Sequence, residues 1–273
     1  MSAHDHHDDS PHEHDLGLAH DLPRLMGTPV AVADRVVGRR RLLGILVGAG
    51  ALTLAGCAAA ATGSSSAGTA AGAIPEETSG PFPGDGTNGP NVLTESGVVR
   101  SDIRSSFGSL TGTADGVPLT LTLTVVDAST GAPRPGAAVY LWHCDRAGAY
   151  SLYDVDDQNY LRGVQVADAS GVVSFTSVFP AAYSGRWPHA HFEVYADLAA
   201  ATNGDNATVT SQLALPEDAC TAVYATDGYD SSVRNLAQTS LDSDMVFRDG
   251  YAAQLATVTG DVSGMAATLT VGV

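Results

Sequence analysis

The sequence predicts an all-β fold, a mainly antiparallel β-sandwich with long loops and at most one or two short helices. Short apolar runs alternate at a period of two residues, as in Leu119–Val126, LTLTLTVV. Turn signals rich in Gly, Pro, Asn and Ser separate these runs, and no long stretch of the same region carries a helical period.

Taken in order, the chain opens with a tract over residues 1–57 that reads as an export leader. It begins MSAHDHHDDSPHEHD, and its first 20 residues hold six of the nine histidines. A His-rich tract can bind metal, but one lying ahead of a signal reads as a segment removed on export. Arg39–Arg41 precede an apolar run from Leu42 to Gly56 that is shorter than the ~20 residues of a membrane span. Paired arginines before Leu42-Leu43 resemble a twin-arginine signal, and Leu54-Ala55-Gly56-Cys57 resembles a lipobox with Cys57 as its lipidated residue. The expected location is outside the cytoplasmic membrane, with membrane contact only through an anchor at Cys57. Residues 58–74, mostly Ala, Gly, Ser and Thr, read as a flexible tether. Residues 75–273 form the expected β-domain, roughly 200 residues and enough for one core.

Within that domain PEETSGPFPGDGTNGPN reads as loop. Strands are expected at Leu119–Val126, Ala137–Trp142, Val172–Val178, Ala190–Tyr195, Ala207–Leu213, Ala252–Thr259 and Ala266–Val271. Residues 216–247 fit one or two short helices or a long functional loop. The chain has no lysine; the first 57 residues hold 7 acidic and 5 basic groups, and the remainder hold 23 and 8, a balance of −15. Such a surface repels phosphate backbones and excludes nucleic acid as a partner. No oligomeric state follows from the sequence.

The chemistry begins at Pro188-His189-Ala190-His191-Phe192. On a strand, residues two apart share a face, so His189 and His191 can reach one ion. Alone, the pair fits zinc, copper or iron, or no metal. A strand ending in Trp142-His143 is followed by Gly148-x-Tyr150-Ser151, and Pro180-Ala181-Ala182-Tyr183 precedes Arg186 and the His pair. In that order these segments resemble the intradiol ring-cleavage dioxygenases, the family of protocatechuate 3,4-dioxygenase and catechol 1,2-dioxygenase, over roughly residues 75–220.

The resemblance implies a non-haem Fe(III) held by Tyr150, Tyr183, His189 and His191, with a catechol-type substrate and O2 as partners. It implies that Tyr183 leaves the metal and takes a substrate proton, that Arg186 stabilises charge developing on the ring, and that Gln212 holds Arg186 or orients the intermediate. The product implied is a cis,cis-muconate-type diacid. Two phenolates favour Fe(III) over Fe(II), and their charge makes a buried trivalent ion tolerable. There are departures from the family. Trp187-Pro188 stands where Pro-Ala often precedes the first His, and no amphipathic helix occupies residues 58–115. The chain thus resembles the exported single-domain branch.

Competing readings are a non-catalytic exported β-sandwich binding module and an H-x-H zinc or copper enzyme. Tyr153 and Tyr160 compete with Tyr150, which alone carries the Gly-x-Tyr-Ser pattern. His143 reads as structural or as pocket wall, and Arg162 as a surface ion-pair residue. With Cys57 assigned to the anchor, Cys144 and Cys220 are expected to pair in an oxidising compartment, the alternative being two separate buried thiols.

Overall fold

The structure, a computed structural model, describes residues 70–273. The leader, Cys57 and the tether up to residue 69 lie outside the described residues. Strands β1 (Pro118–Val126), β2 (Ala138–Trp142), β3 (Arg162–Val166), β4 (Val172–Val178), β5 (His189–Tyr195) and β6 (Val209–Ala214) come first. Two helices follow, α1 (Glu217–Tyr224) and α2 (Asp230–Leu236), and then β7 (Thr257–Asp261) and β8 (Gly264–Gly272). One four-stranded sheet runs β4-β1-β8-β7 and the other β3-β2-β5-β6. Every pairing is antiparallel except β1 with β8, so the sandwich is mainly antiparallel, as the sequence predicts.

The alternating pattern of β1 explains the first sheet. Leu119, Leu121 and Leu123 are buried, while Thr120 faces solvent. Together with Val173 and Phe175 of β4 and Ala267 and Val271 of β8 they form one half of the inter-sheet core. The second sheet supplies Val139, Leu141, Phe192 and Val194 from its inner face. Its outer face carries Ala138, Tyr140 and Trp142 into a second cluster, covered by Phe82, Val92, Phe107 and Tyr150 from long loops. Both faces of β2 and β5 are therefore buried at every position.

Residues 216–247 hold two short helices. Glu217 and Asp218 occupy the first turn of α1, where carboxylates complement the helix dipole. The strand expected over Ala252–Thr259 is displaced to Thr257–Asp261: the Gln254 and Leu255 amides both turn back to Tyr251 O, which closes a turn instead. Strand β3 was not foreseen, because a five-residue run opening Arg-Gly carries little strand signal. The expected Cys144–Cys220 bridge does not form, and both thiols are free and buried. Cys144 belongs to the outer cluster and Cys220 to the inter-sheet core, so the two sulfurs serve different layers.

Candidate metal centre

Strand β5 lies between β2 and β6, and its period of two sends His189 and His191 to the outer face while Ala190 and Phe192 point the other way. His191 is in register with Trp142 on one side and Gln212 on the other. Its ring stacks on the Trp142 indole at 5.0 Å with planes 6° apart. Gly80 closes over the opposite edge: a Cβ there would sit 3.1 Å from His191 Cε1, and the backbone φ of +73° also favours glycine. His189 Nδ1 donates to Trp187 O at 2.5 Å, which fixes the tautomer and leaves Nε2 with its lone pair bare. The two Nε2 atoms are 3.1 Å apart. Burial is the main force holding both imidazoles well below the usual histidine range, and the Arg186 charge adds to it at both, His189 adding further at His191.

Tyr150 arrives on the loop that leaves β2. Gly148, at φ +92°, allows the turn, and Asp145 Oδ1 accepts from the Ala147 and Ala149 amides at 2.8 and 3.0 Å. The loop also contains Leu152 and Leu161 in the left-handed region, disfavoured for leucine. What holds it is Arg162 on β3, which is 1% exposed. Its guanidinium donates to Ser151 Oγ and O at 3.0 and 2.9 Å, and to Phe82 O and Pro83 O at 2.9 and 2.7 Å. Arg162 thus ties the Tyr150 loop to the Phe82 loop, and the reading of it as a surface ion-pair residue is wrong. Tyr153 donates to Asn88 O at 2.7 Å and Tyr160 to Asp145 Oδ2 at 3.2 Å, so neither hydroxyl reaches the histidines.

Tyr183 follows the Pro180 turn, which α2 fixes: Ser232 Oγ accepts from the Ala182 amide and Asn235 Nδ2 donates to Ala182 O, both at 3.0 Å. Tyr183 Oη lies 3.2 Å from His189 Nε2 and 3.5 Å from Tyr150 Oη. Its ring is half-buried, and Tyr150 is buried. Burial pushes the Tyr183 phenol up to about 12 against the pull of Arg186, and raises Tyr150 well above the usual tyrosine range, with the Tyr183 phenol adding to the effect.

Arg186 and Gln212 join the same group. The Arg186 Nε donates to Asp244 Oδ2 at 2.9 Å and Nη2 to Gln212 Oε1 at 2.6 Å, while Nη1 lies 3.5 Å from His189 Nε2. Gln212 Nε2 donates in turn to Thr78 O at 2.9 Å. Asp244, 1% exposed, also accepts from the Trp187 amide at 2.7 Å. Burial would lower the Arg186 pKa, but Tyr183 and Asp244 hold it above its ordinary value. Sequence reasoning missed Asp244 because, in a chain with 30 acidic residues, nothing local distinguishes it.

All six residues singled out from the sequence, Tyr150, Tyr183, Arg186, His189, His191 and Gln212, thus meet on the outer face of one sheet. Among the described residues no group of three or more His, Cys, Asp or Glu gathers. The candidate donors here are two imidazoles and two phenols. Ligands about 2.0–2.1 Å from one ion lie roughly 2.9–3.6 Å apart at angles of about 90–120°, and the observed separations of 3.1, 3.2 and 3.5 Å fit. Two bare or bareable nitrogens and two phenols, which only a strong Lewis acid deprotonates at neutral pH, suit Fe(III).

A family model described as Dioxygenase matches residues 89–217, the span that carries Tyr150 through Gln212. Over that span the chain is similar to the intradiol ring-cleavage dioxygenases. The catechol 1,2-dioxygenase of Pseudomonas sp. (strain EST1001) is 41% identical over 56 residues, 20% of this chain. The chain spans 18% of the length of that curated relative. The intradiol ring-cleavage dioxygenase from Tetranychus urticae shares the fold at a TM-score of 0.57 and 24% identity, over 74% of this chain and 94% of that one. The dioxygenase domain of a carbohydrate-binding fusion protein from Streptomyces sp. SirexAA-E aligns at a TM-score of 0.47 and 21% identity, over 74% and 97% of the two chains.

Proposed function

We propose that the chain is a non-haem Fe(III) intradiol dioxygenase, an oxidoreductase that opens a catechol-type ring between its two hydroxyls with O2 and yields a cis,cis-muconate-type diacid. The observation that carries this reading is the convergence of Tyr150, Tyr183, His189 and His191, with the donor atoms of successive members 3.1–3.5 Å apart. Those four residues would hold the iron. Ferric iron bound there supplies a Lewis acid that acidifies the catechol hydroxyls and draws electron density from the ring.

The chain's own groups do the rest. Tyr183 is the half-buried member of the set; as the phenolate that bound iron would make of it, its Oη would accept a proton from a substrate hydroxyl and become a neutral phenol. Tyr150, buried and braced through Ser151 by Arg162, stays in place. Arg186 presents Nη1 beside His189 Nε2, and this corner of the guanidinium stabilises negative charge that develops on the substrate. Asp244 and Gln212 set its orientation. Gly80 and Phe82 pack against His191 and Tyr150 and exclude water from their side of the centre.

The test is oxygen uptake by iron-loaded protein across a panel of catechols, with product identification. A diacid formed by cleavage between the hydroxyls is expected; an extradiol semialdehyde, or no uptake with any catechol, overturns the reading. We further propose that the protein acts outside the cytoplasmic membrane, anchored through Cys57, which the Arg39–Arg41 and Leu54–Cys57 motifs support. Fractionation and lipid labelling test this: Cys57→Ala should release labelled membrane-bound protein as unlabelled soluble protein, and a wild-type chain that carries no lipid contradicts it.

A further inference from the structure

Resting on the dioxygenase reading, we infer that this site selects neutral or cationic catechols over catechols that carry a carboxylate, and that Glu77 sets much of that bias. The argument starts from the cations available to a substrate carboxylate. Arg186 has Nε and Nη2 committed to Asp244 and Gln212 at 2.9 and 2.6 Å, and its remaining corner faces His189 at 3.5 Å. Arg186 as a whole is 7% exposed, so a carboxylate on the far side of the ring has no free donor on it. His189 and His191 are buried, with their Nε2 atoms turned to each other at the centre and not to its rim. Arg162 is sealed beneath Pro83 and Ser151, and the chain has no lysine.

Negative charge, by contrast, stands at the rim. The Glu77 amide donates to Thr210 O at 2.8 Å, which lays this segment beside β6. The next residue, Thr78, supplies the carbonyl that Gln212 Nε2 binds, so Glu77 is one residue from the Arg186–Gln212 network. Gln254 Nε2 lies 3.2 Å from Gln212 O and 3.4 Å from Glu77 Oε1, so one amide braces both. The Glu77 carboxyl is raised by partial burial first and by Asp249 next, against the pull of Gln254 and Arg186, with Asp244 adding to the rise, so two further carboxylates stand near it beside one guanidinium. These carboxylates repel an incoming anion, whereas they do not repel an amine or an uncharged substituent. The rival is Arg248, exposed on the short turn whose Phe247 ring lies 6.4 Å from the His189 ring.

The experiment compares 3,4-dihydroxyphenylacetate with its neutral amide and with the corresponding ethylammonium catechol on the full iron-loaded protein. The methylene spacer insulates the ring electronically, so charge is the main variable. Dissociation constants come from calorimetry and kcat/KM from oxygen uptake. At low salt the acid should bind roughly tenfold or more weakly than the amide, the gap should shrink as salt rises, and Glu77→Gln should narrow it roughly threefold or more. An acid that binds as well as the amide in the wild type overturns the inference, as does acid binding that Arg248→Gln abolishes. An unchanged gap in Glu77→Gln overturns the role of Glu77. Cleavage of the amide with the acid preferred sinks this inference alone; failure to bind or cleave all three sinks the dioxygenase reading with it.

Discussion

The two sheets are written in the same alternating code and live in different surroundings. In β1 the threonines between the buried leucines meet water or lie near the surface, so that sheet has one wet face. In β5 the residues between Ala190, Phe192 and Val194 are His189, His191 and Glu193, and they are as buried as the apolar ones. The loops carrying Phe82, Tyr150 and Tyr183 cover that outer face. A polar residue on the wet face needs only solvent. A polar residue under the loops must be satisfied by the protein or by something it binds. His191 Nδ1 and Trp142 Nε1 are buried there without a hydrogen-bond partner, so this layer is kept at some expense in stability.

The comparison can be broken first at its largest effect. Phe192→Ala, on the inner face of β5, should lower stability by about 3–5 kcal/mol in chemical denaturation through the cavity it leaves. Asp244→Asn, on the covered side, should lose a similar amount, about 3–5 kcal/mol, because it leaves the Arg186 charge buried without its partner. The two should differ in kind: folded Phe192→Ala keeps iron and activity, whereas Asp244→Asn loses turnover as well.

Next in size is Tyr183→Phe. It should cut activity at least about 100-fold, or about 2.7 kcal/mol, and shift the visible absorption, with little change in the denaturation midpoint. His191→Ala should lose most of the iron, as metal analysis would show.

A smaller effect concerns pH. Burial holds His143 down to about 4, between Ser177 Oγ and Cys144 O at 2.7 Å each. Between an unfolded value near 6.5 and about 4, the unfolded chain binds a proton that the folded chain does not. Stability should therefore fall as pH drops through that window and level off below it, by about 3 kcal/mol for this residue. In iron-free protein His143→Gln should flatten the slope, while His189 and His191, also held low, keep the remainder. An unchanged slope contradicts the assignment. Smallest of all, Thr120→Ala on the wet face of β1 should stay within about 0.5 kcal/mol of wild type.

How far the sequence could be read follows from the same contrast. Period two placed β1, β2, β4 and β5 nearly to the residue, and it put both histidines on one face before any coordinates. The Gly148-x-Tyr150-Ser151 and Pro180-to-Tyr183 patterns singled out two tyrosines that the structure brings beside those histidines. What stayed hidden depends on which face the loops cover. Arg162 reads as a surface residue because arginine usually is one; only the Phe82–Pro83 and Ser151 carbonyls closing over it make it a buried clamp. Asp244 and Arg186 are far apart in sequence, and no local spacing links them. Cys144 and Cys220 follow strands of one sheet, yet they serve separate layers, a distinction the strand pattern does not encode.

The central claim is best tested by iron stoichiometry together with the visible spectrum of purified protein and of its Tyr150→Phe and Tyr183→Phe variants. One iron per chain is expected, with a tyrosinate charge-transfer band that changes in each variant and moves when catechol is added. A colourless protein that retains zinc, or a band indifferent to both tyrosines, would contradict the assembly of phenols and imidazoles around a single ferric ion.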